Sequence, residues 1–328
     1  MNIPKAELHV HLEGTITPIL LHTLAQRNHI PLSPERFPAE QTQYFFHDFL
    51  DFLHNYDIVA AVIKCPQDYY DLTFDYLRRC ATYHTLYTEM MYSPEHAEKS
   101  SGIPSIEHLN AIQQAIDDAY QQWGIVGRIL MTGVRHFGEE AVFKVAQQAI
   151  SVQLPCVVGF ALGGDEVHYP PELFIKAYQL VAAHGMSSTV HAGEFADANS
   201  MLVAIQQLSV QRIGHGIQAI HSPKTMDALL QHNITLEIAT SSNIALGRVS
   251  DIQHHPLPAF LQHGIRVCLN SDDPPFFNSE LSEEYARVQQ AYHYSDDVML
   301  QFTRMALEAA FVDQDTKKIL LEKCKIIE

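Results

Sequence analysis

The sequence predicts an α/β fold, an eight-stranded (β/α)8 TIM barrel with a helical insertion after its first strand. Three observations carry that prediction. Eight short β-branched or apolar runs alternate with longer amphipathic stretches along the 328 residues. None of those runs ends in a GxGxxG or GxxxxGK[ST] phosphate loop, as a nucleotide-binding open sheet often does. Polar residues gather at the C-terminal ends of the runs, and a barrel brings those ends together on one face. The competing architecture is a doubly wound open sheet.

The elements follow in order. "AELHVHL" (6–12) is the first strand. Residues 16–85 hold several helical patterns and no clear strand, so they read as a long insertion. "LYTEMMYS" (86–93), "GRILMTGV" (127–134) and "CVVGFAL" (156–162) supply the next three strands. "STVHAG" (188–193), "RIGHG" (212–216), "TLEIATSS" (235–242) and "RVCLNSD" (266–272) complete the eight. The clearest helix is "SIEHLNAIQQAIDDAYQQWG" (105–124). Ile106, Leu109, Ile112, Ile116 and Tyr120 recur there at helical spacing, and Gly124 closes it. "EEAVFKVAQQAISV" and "ELFIKAYQLVAAHG" repeat the pattern. Residues 286–328 read as C-terminal helices. No linker, low-complexity tract or repeat divides the chain, so residues 1–328 read as one barrel domain.

Composition narrows the function. The chain is 47% hydrophobic and 18% charged, enough to bury a large core. Its net charge of −17 argues against nucleic acid as a partner. No basic start precedes an apolar run, and no stretch of 18 apolar residues occurs, which predicts no membrane association. The five cysteines are scattered without a CxxC pair, which suits reduced thiols and a cytoplasmic location. No feature of the sequence encodes an oligomeric state.

His9 and His11 stand two apart in the first strand, so both side chains face one way. At a barrel mouth they form half of a Zn²⁺ site; among 20 histidines they are equally a packed pair. His191 ends another strand, with Glu194 three residues on. His215 sits between two glycines. Asp272 and Asp273 follow the last strand, and an Asp before Pro is also a turn signal. Each has a structural explanation taken singly. Together they place three imidazoles, a fourth and two carboxylates at one end of successive strands. A catalytic zinc takes such N and O donors and leaves a position for water, making it a nucleophile near neutral pH. Glu194, His215 and Asp273 remain to move protons.

"ELHVHLEG", "GGDE", "TVHAGE", "RIGHG", "SSN" and "NSDDP" occur in an order and at spacings that resemble the adenosine/adenine deaminase family of metal-dependent amidohydrolase barrels. The resemblance runs from residue 4 to about residue 285, and the helical tail is compatible with it. It implies one Zn²⁺ per chain, held by His9, His11, His191 and Asp272. It implies that Glu194 protonates N1 of a purine, that His215 and Asp273 orient and activate the attacking water, and that the Gly164 backbone N–H meets N3. Asp273 also reaches N7, and His11 and Glu13 join Gly164 and Asp273 as substrate-binding residues. The inserted stretch "YFFHDFLDFLHNYDIV" (44–59) is implied to form a lid, with Phe45, Phe49, Phe52 and Leu53 over the purine or, equally, in the core face of a helix. The HxE…PCxxC signature of cytidine-type deaminases is absent.

Two departures bear on substrate. Position 13 is Glu where typical adenosine deaminases have Asp, a feature more usual in adenine and aminodeoxyfutalosine deaminases. Ala161 stands where "DLAGDE"-type sequences have Asp. Against these, "RIGHG", "SSNIALGRV…HHPL" and "EEY" (283–285) resemble the nucleoside branch. The weight of these features predicts zinc-dependent deamination of adenosine to inosine and ammonia, with adenine or aminodeoxyfutalosine as the alternative substrate. A dinuclear barrel hydrolase with a carboxylated lysine is a second class, but "CVVGFALGG" offers no lysine. A non-catalytic nucleoside-binding protein is a third, but such chains lose a ligand or the acid, and all are present here.

Overall fold

A computed structural model describes residues 3–324. Eight parallel strands form one sheet in sequence order: β1 (Lys5–His11), β2 (Thr85–Tyr92), β3 (Val126–Val134), β4 (Val157–Gly163), β5 (Ser187–Ala192), β6 (Arg212–His215), β7 (Thr235–Ile238) and β8 (Arg266–Leu269). β8 meets β1 through a bridge between Asp272 and Val10. His11 N–H donates to the Asp272 carbonyl at 2.9 Å, and Asp272 N–H to the His9 carbonyl at 3.2 Å. The Asn270 side chain extends the seam, its Oδ1 accepting from Leu8 N–H at 2.9 Å. The sheet is a (β/α)8 TIM barrel, as the sequence predicts.

The helices are α1 (Pro18–Arg27), α2 (Phe49–Ala60), α3 (Pro66–Thr82), α4 (Pro94–Ser101), α5 (Ser105–Trp123), α6 (Glu139–Ser151), α7 (Ile175–Ala183), α8 (Ala198–Gln207), α9 (Pro223–Gln231), α10 (Thr240–Ala245), α11 (Leu257–Gln262), α12 (Pro274–Phe277), α13 (Leu281–Tyr292), α14 (Asp296–Ala309) and α15 (Gln314–Lys323). α3 packs against α5 in the outer ring, so only the stretch ahead of it, with α1 and α2, stands outside the βα repeat. The predicted C-terminal helices are α13, α14 and α15, and residues 325–328 of that stretch lie outside the described residues.

Every strand starts within one residue of its predicted position, but β7 and β8 end four and three residues early. β7 stops at Ile238 because α10 begins at Thr240. Glu284 Oε2 accepts the Thr240 and Ser241 N–H groups and the Thr240 hydroxyl, placing a buried carboxylate at the positive end of that helix. β8 stops at Leu269, and Asp272 then takes a left-handed φ of 64°. In α5 the buried stripe is Leu109, Ile112, Ala115, Ile116 and Ala119, whereas Ile106 and Tyr120 face solvent. All five cysteines are unpaired, four of them buried. Among the described residues no helix is long and apolar enough to cross a membrane.

Candidate active site

The site is assembled at the C-terminal ends of β1, β4, β5, β6 and β8. The pairing of β1 with β2 slips by one residue between Glu7 and Val10. The bulge lies at Leu8 and His9, a device that re-aims side chains beside active sites. His9, His11, His191 and Asp272 converge there. One donor atom from each lies within 4.8 Å of all the others. His11 Nε2 stands 3.3 Å from both His191 Nε2 and Asp272 Oδ1, and His9 Nε2 stands 3.4 Å from that same oxygen.

The far side of each ring explains its orientation. His9 Nδ1–H donates to Glu237 Oε2 at 2.8 Å, and His191 Nδ1–H donates to the Leu162 carbonyl at 3.0 Å. Both rings therefore turn an Nε2 lone pair inward, as metal-ligating histidines do. His9 Nε2 and Asp272 Oδ1 are buried without a hydrogen-bond partner, a costly arrangement that a cation relieves. Burial lowers the basicity of His9, but the nearby carboxylates of Asp272 and Glu237 outweigh it and raise it overall. Asp272 moves the opposite way: burial opposes ionisation, yet His11 and His9 hold it well below the usual carboxylate range. The field at this point favours positive charge, and the donor set is right for a divalent metal ion.

Glu237 is itself fastened below. Its Oε1 accepts from Arg212 Nε at 2.5 Å, and Arg212 reaches Glu89 Oε2 at 2.5 Å. Arg212 also donates to the Ala309 carbonyl and lies over the Phe311 ring. All three charged side chains are fully buried.

The other predicted site residues surround the cluster. Glu194 Oε2 lies 3.6 Å from His215 Nε2. Burial, then Asp272 and Glu166, push the Glu194 carboxyl well above its ordinary range. Burial and Asp272 push Asp273 up in the same direction. Burial lowers His215 to about 3. His215, like Asp272, is a non-glycine residue at positive φ (59°), an uncommon backbone state held in place at the mouth. Two glycines make room. A Cβ at position 14 would lie 1.8 Å from Asp273 Oδ1, and one at position 214 would lie 2.6 Å from His9 Cε1.

A cavity of about 140 Å³ opens over the cluster. His11, Gly164, His191, Glu194, His215, Asp272 and Asp273 line it. Phe49, Phe52 and Leu53 of α2 form its roof with Tyr56, as expected of a lid; Phe45 does not, being 67% exposed. Glu13 is buried outside the cavity lining, and its Oε1 accepts from Tyr69 Oη at 2.9 Å.

Several residues went unread in the sequence. Glu166, the last residue of "GGDE", accepts from the N–H groups of Gly193, Glu194 and Ala196 and so holds the loop that carries Glu194. Glu237, Arg212 and Glu89 had a signal: each is a charge inside an otherwise apolar strand, which must find a partner when buried. Asn243 and His255 are hydrogen-bonded in line behind His215.

The protein-family model described as adenosine deaminase matches residues 4–326. An adenine deaminase of Agrobacterium fabrum is 37% identical over 319 residues, covering 97% of each chain. An adenine deaminase of Rhizobium etli is 37% identical over 322 residues, covering 98% of this chain and 99% of that one. The crystal structure of adenine deaminase from Arthrobacter aurescens superposes with a TM-score of 0.92 at 30% identity and covers 98% of both chains. The chain is a hydrolytic deaminase acting on C–N bonds and belongs to the adenosine deaminase family.

Proposed function

We propose that this chain hydrolyses the 6-amino group of free adenine, giving hypoxanthine and ammonia, with one Zn²⁺ held by His9, His11, His191 and Asp272. The observation that carries the substrate is that relatives 37% identical over 97% of the chain are named adenine deaminase. It displaces adenosine, which the sequence features favoured. Several residues of those features have structural roles of their own. Gly214 of "RIGHG" clears His9, Asn243 of "SSN" and His255 of "HHPL" stand behind His215, and Glu284 of "EEY" caps α10. None of these four lines the cavity, although Leu246 of the same "SSNIALGRV" and His215 of "RIGHG" do. Glu13, tied to Tyr69, is not placed to grip a ribose hydroxyl.

The chain's own groups account for the proton movements. Bound zinc would act as a Lewis acid that lowers the pKa of water. Asp273 accepts one proton of the attacking water, while His215 orients it from the other side. Glu194, whose carboxyl burial pushes upward, gives its proton to N1 as the water oxygen bonds to C6. The tetrahedral adduct then loses its amino group, which takes up the hydroxyl proton and leaves as ammonia. The proton on Asp273 returns to Glu194 through solvent, and the balance is water plus adenine to hypoxanthine plus ammonia. The Gly164 N–H meets N3, and Phe49, Phe52, Leu53 and Tyr56 exclude water above the ring. Further along the cavity, Asp57, 3.4 Å from His96, offers a carboxylate to the N9–H that a free base has and a nucleoside lacks.

The test is turnover of zinc-loaded protein on adenine and adenosine side by side, followed by loss of the 6-aminopurine absorbance. Adenine is expected to react at least 100-fold faster in kcat/KM, a gap that unpaired buried polar groups can produce. Faster turnover of adenosine overturns the substrate assignment. Loss of activity on chelation and its return with Zn²⁺ tests the metal.

A further inference from the structure

We propose that Asn243 and His255 are positioning residues that lock His215 into one tautomer, with its proton on Nε2, facing the reacting water as a donor. The inference rests on the deaminase reading of this site and deepens it.

The lock starts from a group that cannot reverse. The Leu257 backbone N–H donates to His255 Nδ1 at 3.1 Å. A peptide N–H is only a donor, so Nδ1 must be the lone-pair nitrogen and the His255 proton sits on Nε2. That Nε2–H points at Asn243 Oδ1, 3.2 Å away. The contact fixes which way the amide faces, since the flipped amide would oppose two donors. Asn243 Nδ2–H then donates to His215 Nδ1 at 3.1 Å. His215 accepts there, which leaves its proton on Nε2. That nitrogen lies 3.6 Å from Glu194 Oε2 and 3.9 Å from Asp272 Oδ2, on the reacting side.

The alternatives fail along the same line. A proton on His215 Nδ1 would face the Asn243 amine, donor against donor. Flipping the amide would require His255 to accept at Nε2, moving its own proton onto Nδ1 against the Leu257 N–H. Water cannot relieve either conflict, because Asn243 is fully buried and His215 and His255 are 1% and 3% exposed. The frame is rigid as well. Glu284 holds the N-terminus of α10, on which Asn243 sits, and Leu257 opens α11. "SSN" and "HHPL" thus serve the catalytic histidine from two elements.

The experiment is nitrogen NMR of histidine side chains in the zinc-loaded enzyme, with the His215 resonances assigned by their loss in His215→Asn. The expected spectrum has an unprotonated Nδ1 and a protonated Nε2 at His215. A proton on Nδ1 overturns the proposal whatever the substrate proves to be. Activity supplies the second arm. Asn243→Asp is nearly isosteric but accepts at both oxygens, so it selects the wrong tautomer. It is expected to lower kcat about 100-fold or more with KM changed much less, as for other wrong-tautomer variants. An Asn243→Asp enzyme with kcat within about threefold of the parent overturns the lock. His255→Gln can still donate to Asn243 and is expected to lose at least tenfold less activity than His255→Leu. Equal losses in those two variants make His255 a packing residue and overturn its part. An inert parent enzyme on adenine defeats the substrate assignment alone, because the NMR result stands without it.

Discussion

The floor of the cavity and its roof are built in opposite ways. The floor is polar, buried and cross-linked. His9 alone continues through Glu237 and Arg212 to Glu89, four charged or titratable groups in a line with no solvent access. The roof is one helix, α2, whose aromatic face meets the cavity through rings. Phe49 packs on Phe195 at 4.3 Å and Phe52 on Phe277 at 5.3 Å, while Leu50 next to Phe49 is 74% exposed. Hydrogen bonds fix direction and protonation; ring contacts fix neither. The contrast teaches that chemistry is specified in the floor, where an ångström matters, and retention of the substrate in the roof, where area matters.

The largest expected effect lies in the floor. Glu194→Gln keeps the shape and the hydrogen bonds that its loop donates to Glu166, but cannot give a proton to N1. Its kcat is expected to fall about 10³-fold, within the range for a lost general acid, with metal content unchanged. Metal analysis and steady-state kinetics check it together. A fall of less than tenfold would show that another group supplies the proton, and the division between floor and roof would lose its main support.

Gly14→Ala comes next, because it tests the floor without touching a reacting group. The new Cβ would lie 1.8 Å from Asp273 Oδ1, so the carboxylate must move. A displacement of about 1 Å in a reacting constellation costs on the order of 10²-fold in kcat. A variant with bound metal, an unchanged melting temperature and undiminished kcat would mean that Asp273 tolerates displacement and that the floor is looser than its packing implies.

How far each half was readable in the sequence follows the same division. His9, His11, His191, Glu194, His215, Asp272 and Asp273 were legible because each stands at the end of a strand, in a short motif with its own spacing. The barrel was legible for a related reason: parallel strands buried on both faces read as apolar runs of fixed length. The fasteners were not, because their partners are remote. His9 and Glu237 are 228 residues apart, and Arg212 and Glu89 are 123 apart. A single sequence shows that Glu237 is an isolated charge in a strand, but not whom it serves. The roof was half legible. Phe49, Phe52 and Leu53 line the cavity, where the lid reading put them, but Phe45 was assigned to the same face when it lies outside α2 and points to solvent. The substrate was the least legible, because several of the motifs read for it belong to the floor and its supports.

Glu237→Gln sharpens the comparison from below. Gln still accepts from one neighbour, but its amine must oppose either His9 Nδ1–H or Arg212. Outer hydrogen-bond partners of metal-bound histidines typically contribute 10–100-fold in metal affinity. A metal-competition titration should show a loss of about that size, with kcat of the fully loaded enzyme changed less. Unchanged affinity would make the Glu237–Arg212–Glu89 line a folding device only.

The smallest expected effect belongs to the roof. Phe49→Ala removes a ring that is only partly buried, touches Phe195 and overlies the cavity. The ring offers no hydrogen bond or charge to the reacting atoms, so it is expected to hold substrate and transition state about alike. An interaction of that kind affects KM and leaves kcat nearly alone. Partial loss of one aromatic contact is worth roughly 1–1.5 kcal/mol, or about a five- to tenfold rise in KM. If instead kcat falls by the same factor while KM holds, the roof acts in the transition state. Water exclusion by α2 would then belong to the chemistry, and the two halves of the cavity would be one device.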